Sequence, residues 1–122
     1  MGSVGRILVV DDEPDLRFIL RRVFARAGHE VAEAGDGAAA LASVRESPPD
    51  LVVTDMMMPV MSGVELIRAL RADPVTTAIP VLVVSGDSHL AADADAVLAK
   101  PCRHAELLEL AEGLLREGRD AQ

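Results

Sequence analysis

The sequence has very few aromatic residues, and this limits what the protein can bind. Of its 122 residues only 2% are aromatic, namely Phe18 and Phe24, with no Trp and no Tyr. Stacking of bases on aromatic side chains, a common device of single-strand binding proteins, is therefore excluded. The core has to be built from aliphatic side chains and methionine.

Clusters of basic residues are also lacking. The chain has 12 Lys and Arg against 20 Asp and Glu, a formal net charge of -8, and no basic run. Nucleic-acid surfaces hold phosphates with clustered Lys and Arg. We therefore expect no direct contact with nucleic acid.

Disulfides and membrane spans are excluded as well. The single cysteine, Cys102, has no internal partner and offers no zinc ligand set. The longest apolar stretches, such as 7–10 and 81–84, are much shorter than a membrane span, and the N-terminus has no apolar signal region. These absences predict a cytoplasmic protein that makes no membrane contact.

What remains is the composition of an ordinary globular domain. Half of the residues are hydrophobic and 26% are charged, and 122 residues suffice to bury one core. We expect a single domain over residues 1–122, structured from about 5 to 118. Gly2 and Ser3 look like a cloning remnant.

Short β-branched runs alternate with segments of helical periodicity along the chain. The predicted strands cover residues 6–10, 29–34, 51–54, 79–84 and 96–99. Among about five predicted helices are one from Pro14 that stops at Gly28, and others over about 37–46, 64–72 and 103–116. This order predicts an α/β fold with a doubly wound, flavodoxin-like parallel sheet of strand order 2-1-3-4-5.

The connection before the last strand is unusually short. Between Ser85 and that strand lie ten residues, 86–95, which must supply two loops and a helix. An average helix alone takes about 11 residues. The fourth helix of the fold is therefore predicted to be shortened or missing.

Three acidic residues are predicted to meet at the edge of the sheet where the strands end. Asp11 and Asp12 follow the first strand and Asp55 follows the third. In the predicted order these strands are neighbours, about 4.8 Å apart. Such crowding requires a proton or a cation, and a pocket of carboxylates that keeps some waters is typical of Mg²⁺.

The same edge offers groups suited to phosphoryl transfer. A carboxylate such as Asp55 can attack phosphorus if the charge on the phosphoryl oxygens is neutralised. Lys100, which ends the last strand, has the reach to form an ion pair with that group. The hydroxyl of Ser85, at the end of the fourth strand, can donate a hydrogen bond to it.

Each of these residues also has a plain structural interpretation. Asp11 and Asp12 are favoured at a helix start by the helix dipole, and Asp55 and Ser85 are common turn residues. The methionines that follow Asp55 resemble a soft-metal ligand run, but methionines more often fill a core or a partner surface. The functional interpretation depends on all the residues occurring together on the right elements.

The segments ILVVDDEPDLR, LVVTDMMMPVMSGVEL, PVLVVSGDS and LAKP together resemble a bacterial response-regulator receiver domain of two-component signalling. The resemblance spans nearly the whole chain. It implies that Asp55 is the phosphoacceptor and that Asp12, Asp55 and the backbone carbonyl of Met57 hold Mg²⁺, with Asp11 acting through water. Ser85 and Lys100 match the family's switch hydroxyl and lysine.

The resemblance also implies partners and limits. A sensor histidine kinase or phosphotransfer protein would supply the phosphoryl group, and the output would be a contact with a protein that the sequence does not identify. Only self-phosphorylation from small donors and autodephosphorylation are expected, so the chain is not an enzyme in the ordinary sense.

Two other functions remain open at this point. Val97 stands where the family usually carries an aromatic residue, three positions before Lys100, so a degenerate receiver that binds a partner constitutively is one alternative. Phosphatases of the haloacid dehalogenase type also use an aspartate after a strand. They usually carry a second acid two positions later, where this chain has Met57, which argues against that class.

Overall fold

A computed structural model describes residues 5–55, 58, 60–86, 94–100 and 102–118. Within these ranges lie five strands, β1 (Arg6–Val10), β2 (Glu30–Ala34), β3 (Leu51–Thr54), β4 (Val81–Ser85) and β5 (Ala96–Ala99). The same ranges contain four helices, α1 (Pro14–Arg26), α2 (Gly37–Glu46), α3 (Gly63–Ala72) and α4 (His104–Glu117).

The strands form one parallel sheet in the order β2-β1-β3-β4-β5. Helices cover both faces of the sheet, and alternate residues of each strand point to opposite faces. Ile7 and Val9 of β1 pack in one apolar cluster with α1 and α4, whereas Leu8 and Val10 pack in the other with α2 and α3. The predicted flavodoxin-like fold and strand order are confirmed.

Local signals fix where the helices begin and end. Pro14 occupies the first turn of α1, and Gly28, with φ of 95°, follows its last turn in the left-handed conformation that glycine adopts at little cost. Ser62 and Glu65 form a reciprocal capping box at the start of α3.

Some predicted boundaries were wrong by one or two residues. β2 begins at Glu30 instead of residue 29, because the backbone N–H of His29 bonds to Phe24 at the end of α1. β4 begins at Val81 instead of residue 79, because Ile79 closes a turn with Thr76 and Pro80 follows it. α3 begins one residue earlier than predicted, at Gly63, and α4 is displaced by one residue at both ends, spanning His104–Glu117.

The fourth helix was predicted to be shortened or missing between β4 and β5, and the described residues of that connection contain no helix. Gly86, Ala94 and Asp95 are not helical, and the other seven residues of the connection, 87–93, lie outside the described residues. An average helix of about 11 residues has no room in it. Asp95 ties the end of the connection to β4, because its backbone N–H and its carboxylate both bond to Val81.

The start of α2 lies directly against the loop between β3 and α3. The backbone N–H of Gly37 donates to the carbonyl of Met61 at 3.1 Å. A Cβ at Gly37 would lie 2.5 Å from that carbonyl oxygen, so only glycine allows the contact. This contact supports the loop that follows Asp55.

In the described part of the chain, no helix has both the length and the apolar character needed to cross a membrane.

Candidate phosphoacceptor site

The predicted site residues follow strands that are neighbours in the sheet, at its carboxyl edge, where all five strands end. Val10 of β1 lies opposite Thr54 of β3, so Asp11 and Asp55 emerge side by side. Ser85 of β4 lies opposite Ala99 of β5, and the next residue is Lys100. The parallel register therefore places these residues at one edge.

The backbone hydrogen bonds of the sheet continue into these residues. The backbone N–H of Asp55 donates to Val10, that of Asp11 to Ala34, and that of Lys100 to Ser85, at 3.0–3.2 Å. In addition, the Thr54 hydroxyl donates to the Asp55 carbonyl at 2.8 Å. The backbone that carries the candidate site residues is thus held by the sheet.

Three carboxylates meet around one ammonium group. One oxygen from each of Asp11, Asp12 and Asp55 lies within 4.8 Å of the others. The Nζ of Lys100 lies 3.0 Å from Oδ2 of Asp55 and 3.7 Å from Oδ2 of Asp11. The sequence therefore predicted correctly that Asp11, Asp12, Asp55 and Lys100 lie together.

The ionisation of Asp11 depends first on its burial and then on the charges around it. Burial raises the pKa of Asp11 above its ordinary value, and the charges of Asp55 and Asp12 raise it further. The hydrogen bond from the Glu13 backbone to Asp11, at 2.9 Å, and the charge of Lys100 act in the opposite direction without cancelling the increase. Burial, more than the neighbouring charges, therefore makes the ionised form of Asp11 costly.

The surroundings of Lys100 raise its pKa and so favour its charged form. Burial alone would lower the pKa of Lys100, but its hydrogen bond to Asp55 and the surrounding carboxylates outweigh that effect and raise it. All but one of the chain's 12 basic residues are arginines, and the single lysine is the one in this pocket. A compact ammonium, unlike a guanidinium, can act as a point charge for one phosphoryl oxygen.

The carboxylates suit a hard divalent cation. Magnesium binds oxygen ligands at about 2.0–2.1 Å in an octahedron, which puts opposite ligands about 4.2 Å apart. The carboxylate spacing of up to 4.8 Å approaches that geometry. Asp12 is exposed, so the cluster opens to solvent, which allows a metal to keep water ligands.

Two of the predicted site residues need separate mention. Ser85 is 1% exposed and ends β4, the strand between those that lead to Asp55 and to Lys100. Met57, whose backbone carbonyl was predicted to bind the metal, lies outside the described residues. Val97, in the place of the usual aromatic residue, is 38% exposed on β5.

An apolar cavity of about 380 Å³ lies beside the site, between α1 and the start of α4. Burial raises the pKa of the Cys102 thiol in its wall, and the charge of Glu106 raises it further. The lowered pKa that a position near a helix N-terminus can produce is therefore not found. The residues that line the cavity are Leu16, Ile19, Leu20, Val84, Lys100, Cys102, His104 and Leu107.

Sequence reasoning missed one residue at the edge of the site. The side chain of Arg17, in α1, donates a hydrogen bond of 2.6 Å to the backbone carbonyl of Asp11 and another to Glu33 on β2. Its place within the segment ILVVDDEPDLR was the available signal, but a long side chain on a helix gives no indication of its target.

Comparison with known proteins supports the resemblance found in the sequence. The chain is 38% identical over 122 residues to the DNA-binding response regulator MtrA of Mycolicibacterium smegmatis, covering 94% of this chain and 52% of that protein. It thus spans about half the length of the curated relatives it matches. Its fold is similar to that of the chemotaxis response regulator CheY4 of Vibrio cholerae, with a TM-score of 0.84 and 28% identity over 92% of this chain and 99% of that one.

A further structural match concerns a metal-bound protein. The receiver domain of the sensor histidine kinase PA1611 of Pseudomonas aeruginosa PAO1, solved with a magnesium ion coordinated in its active site cleft, has a TM-score of 0.87. The match covers 93% of this chain and 99% of that one. Because the identity is only 24%, it supports the fold alone. Residues 7–112 match the model of the response regulator receiver domain, and the chain therefore belongs to that family.

Proposed function

We propose that this chain is a single phosphoacceptor domain of a two-component phosphorelay, which receives a phosphoryl group on Asp55. The observation that carries the proposal is the position of Lys100, 3.0 Å from Asp55 inside a cluster of three carboxylates. A structural ion pair would need one carboxylate, and two further acids would only add repulsion. That surplus of negative charge is what a metal-dependent transfer requires.

In the proposed reaction a carboxylate oxygen of Asp55 attacks the phosphorus of the donor. The new bond joins that oxygen to phosphorus, while the bond between phosphorus and the donor breaks and its electron pair leaves with the donor. The donor is a phosphohistidine of a kinase or phosphotransfer protein, or a small acyl phosphate. Attack of water on phosphorus later breaks the bond to the Asp55 oxygen, releases inorganic phosphate and returns the carboxylate to its free form.

Lys100 and Ser85 have complementary roles in this proposal. Lys100 exchanges its ion pair with Asp55 for one with a phosphoryl oxygen, which lowers the energy of the charge that develops during transfer. The Ser85 hydroxyl donates a hydrogen bond to another phosphoryl oxygen. Both residues sit on strand ends, so little reorganisation is needed when the group arrives.

The metal site is proposed to consist of Asp12, Asp55 and the backbone carbonyl of Met57, with Asp11 acting through water. Magnesium, when bound there, neutralises charge on the carboxylates and on the phosphoryl oxygens. Asp11 is suited to hold a water, because one of its oxygens already accepts from the Glu13 backbone at 2.9 Å. The other oxygen lies toward Lys100.

The output is proposed to be a contact with another protein, in the cytoplasm and without membrane contact. The net charge of -8 disfavours direct binding of nucleic acid by these 122 residues. MtrA is a DNA-binding protein about twice as long as the matched region. Any DNA-binding role is therefore not transferred to this chain.

The complete cluster supports a phosphoacceptor over a constitutive binding module. Burying Asp11 to 2% exposure beside two other carboxylates costs free energy that a module without phosphorylation would have no reason to bear. Loss of the carboxylates is the change that we would expect in a degenerate receiver.

Intact-mass analysis after incubation with acetyl phosphate and Mg²⁺ tests the proposal. We expect one added phosphoryl group on the wild-type chain, and none when a chelator is present or in Asp55→Asn. Asp50→Asn is a matched control, because Asp50 precedes the same strand at its opposite end and its carboxylate accepts from the Arg6 backbone, a bond that Asn can keep. An adduct that survives Asp55→Asn, or a folded wild-type chain that gains none, would refute the proposal.

A further inference from the structure

Arg17 connects three elements next to the carboxylates. It lies in α1, its NH1 donates to the backbone carbonyl of Asp11 at 2.6 Å, and its Nε pairs with Oε1 of Glu33 on β2 at 3.2 Å. The Arg17 side chain is 22% exposed, so water competes little for these bonds. The side chain is thus fixed at both ends of its guanidinium.

The carbonyl that Arg17 holds belongs to the peptide group between Asp11 and Asp12. This group is planar, so fixing its oxygen also fixes the direction in which the chain continues to the Cα of Asp12. Asp11 itself is fixed independently of Arg17, because its backbone N–H donates to the carbonyl of Ala34 and its side chain accepts from the backbone N–H of Glu13. Arg17 therefore controls the one linkage that sets the carboxylate of Asp12 relative to that of Asp11.

Glu33 fixes the position from which Arg17 reaches the Asp11 carbonyl. Its register partner on β1 is Val9, two residues before Asp11, so its carboxylate lies beside the strand that leads into the site. Arg21, one turn further along α1, pairs with the second oxygen of Glu33 at 3.5 Å and is 54% exposed. Arg21 thus shares the carboxylate with Arg17 but is not bonded to the Asp11 carbonyl.

From these contacts we infer that Arg17 is a positioning residue for the metal pocket: anchored by Glu33, it orients the peptide between Asp11 and Asp12 and so raises the affinity for Mg²⁺. The inference rests on the proposed function, because it assigns Mg²⁺ to that pocket. Arg17 has no contact with the reacting atoms. It acts as the outer partners of metal ligands do, whose removal typically costs about 10- to 100-fold in affinity.

The test is a titration of the phosphate-free protein with MgCl₂, followed by two-dimensional amide NMR, because the chain has no Trp for fluorescence. We expect Arg17→Gln to raise the dissociation constant about 10-fold. Arg17→Lys keeps the charge but loses the planar fork, so an intermediate increase is expected. Arg21→Gln, the matched control, should bind Mg²⁺ like the wild type.

A second readout separates positioning from a general loss of structure. For Arg17→Gln the rate of phosphorylation by acetyl phosphate should reach half its maximum at a Mg²⁺ concentration about 10-fold higher, while the maximal rate stays close to that of the wild type. A merely structural role would lower Tm in Arg17→Gln and Arg21→Gln alike and leave Mg²⁺ affinity unchanged, which would overturn the inference.

The inference and the proposed function fail in different ways. If wild type and Arg17→Gln bind Mg²⁺ equally, the inference alone is wrong. If the wild type binds Mg²⁺ more tightly than Arg17→Gln but gains no phosphoryl group from acetyl phosphate, the inference holds and the proposed function is wrong. A wild type that binds no Mg²⁺ overturns both.

Discussion

The two edges of the sheet place ionisable residues in opposite situations. At the amino edge, where the strands begin, the His29 side chain is fully buried between two partners. Its Nδ1 accepts from the backbone N–H of Gly5 and its Nε2 donates to Glu112 of α4, both at 3.1 Å. Because the Gly5 N–H can only donate, the hydrogen of the neutral ring is assigned to Nε2. Every polar atom of this ring is satisfied.

At the carboxyl edge the charges do not balance. Asp11, Asp12 and Asp55 share one region with a single ammonium from Lys100, and burial together with neighbouring charges raises the pKa of Asp11. In addition Val60, in the loop after Asp55, adopts φ of 68°, a left-handed conformation that is costly for a β-branched side chain. The crowded carboxylates and the strained backbone of Val60 therefore lie at the same edge of the sheet.

The comparison teaches that the same sheet uses buried polar groups for two purposes. Where all partners are present, as at His29, the groups join elements and stabilise the fold. Where three carboxylates crowd around one ammonium, as at Asp11, Asp12 and Asp55, burial and like charge cost stability, and the proposed function gives that cost a purpose. Substitutions at the two edges should therefore have effects of different kind.

The largest effect is expected from Lys100→Ala. The rate of phosphorylation by acetyl phosphate should fall about 100-fold or more, because the ammonium nearest to Asp55 no longer stabilises the charge on the phosphoryl group. Lys100→Arg should recover little of this rate, since a planar guanidinium does not replace a compact ammonium. A rate within a fewfold of the wild type in Lys100→Ala would remove Lys100 from the mechanism.

A large loss of stability is expected from His29→Ala. The substitution leaves a cavity and removes the partners of the Gly5 N–H and of Glu112, so the free energy of unfolding should decrease by about 2–4 kcal/mol in urea. The folded variant should still be phosphorylated at the wild-type rate. His104→Ala, an exposed control, should change stability by less than about 0.5 kcal/mol. A loss of phosphorylation in folded His29→Ala would contradict the separation of the two edges.

Relief of backbone strain should stabilise the carboxyl edge. Val60→Gly should raise the free energy of unfolding by about 1 kcal/mol, because glycine adopts positive φ without a Cβ clash. Val75→Gly is the control, since Val75 is similarly exposed, at 74% against 80%, and Val60 alone of the described non-glycine residues has positive φ. That change should destabilise by about 0.5 kcal/mol through chain entropy. Destabilisation of similar size in both variants would show that Val60 is unstrained.

The smallest effect is expected from Asp12→Asn in metal-free buffer. Removing one negative charge should raise Tm slightly, and solvent screening of this exposed residue limits the gain to a few tenths of a kcal/mol. The increase in Tm that Mg²⁺ gives the wild type should be much reduced in this variant. Asp15→Asn, on the exposed side of α1, should lower Tm slightly and leave the Mg²⁺ effect intact. An unchanged Mg²⁺ effect in Asp12→Asn would exclude Asp12 as a ligand.

Much of the fold and of the carboxylate cluster was predictable because it depends on strand ends. Asp11 and Lys100 come directly after apolar runs and Asp55 comes one residue after such a run, and a parallel sheet brings such positions to one edge whatever the loops do. The short connection before β5 was likewise evident from a count of residues.

Other features had no sequence signal of their own. The contact of Arg17 with the Asp11 carbonyl depends on the rotamer of a long side chain, and valine at position 60 gives no indication of positive φ. The start of β4 was misjudged because Ile79 is apolar and buried yet belongs to a turn. Tertiary packing decided these cases and overrode local preference.

The hydrogen bonds that continue the sheet into Asp11, Asp55 and Lys100 have a consequence for dynamics. Amide hydrogens in such positions exchange with solvent only when the surrounding core opens, so these three should exchange as slowly as those of the central strands. The backbone under the site would then keep its position throughout the proposed cycle of phosphorylation. Under the proposed function, a signal that leaves this site would therefore be carried by side chains and by the loops beyond the strand ends.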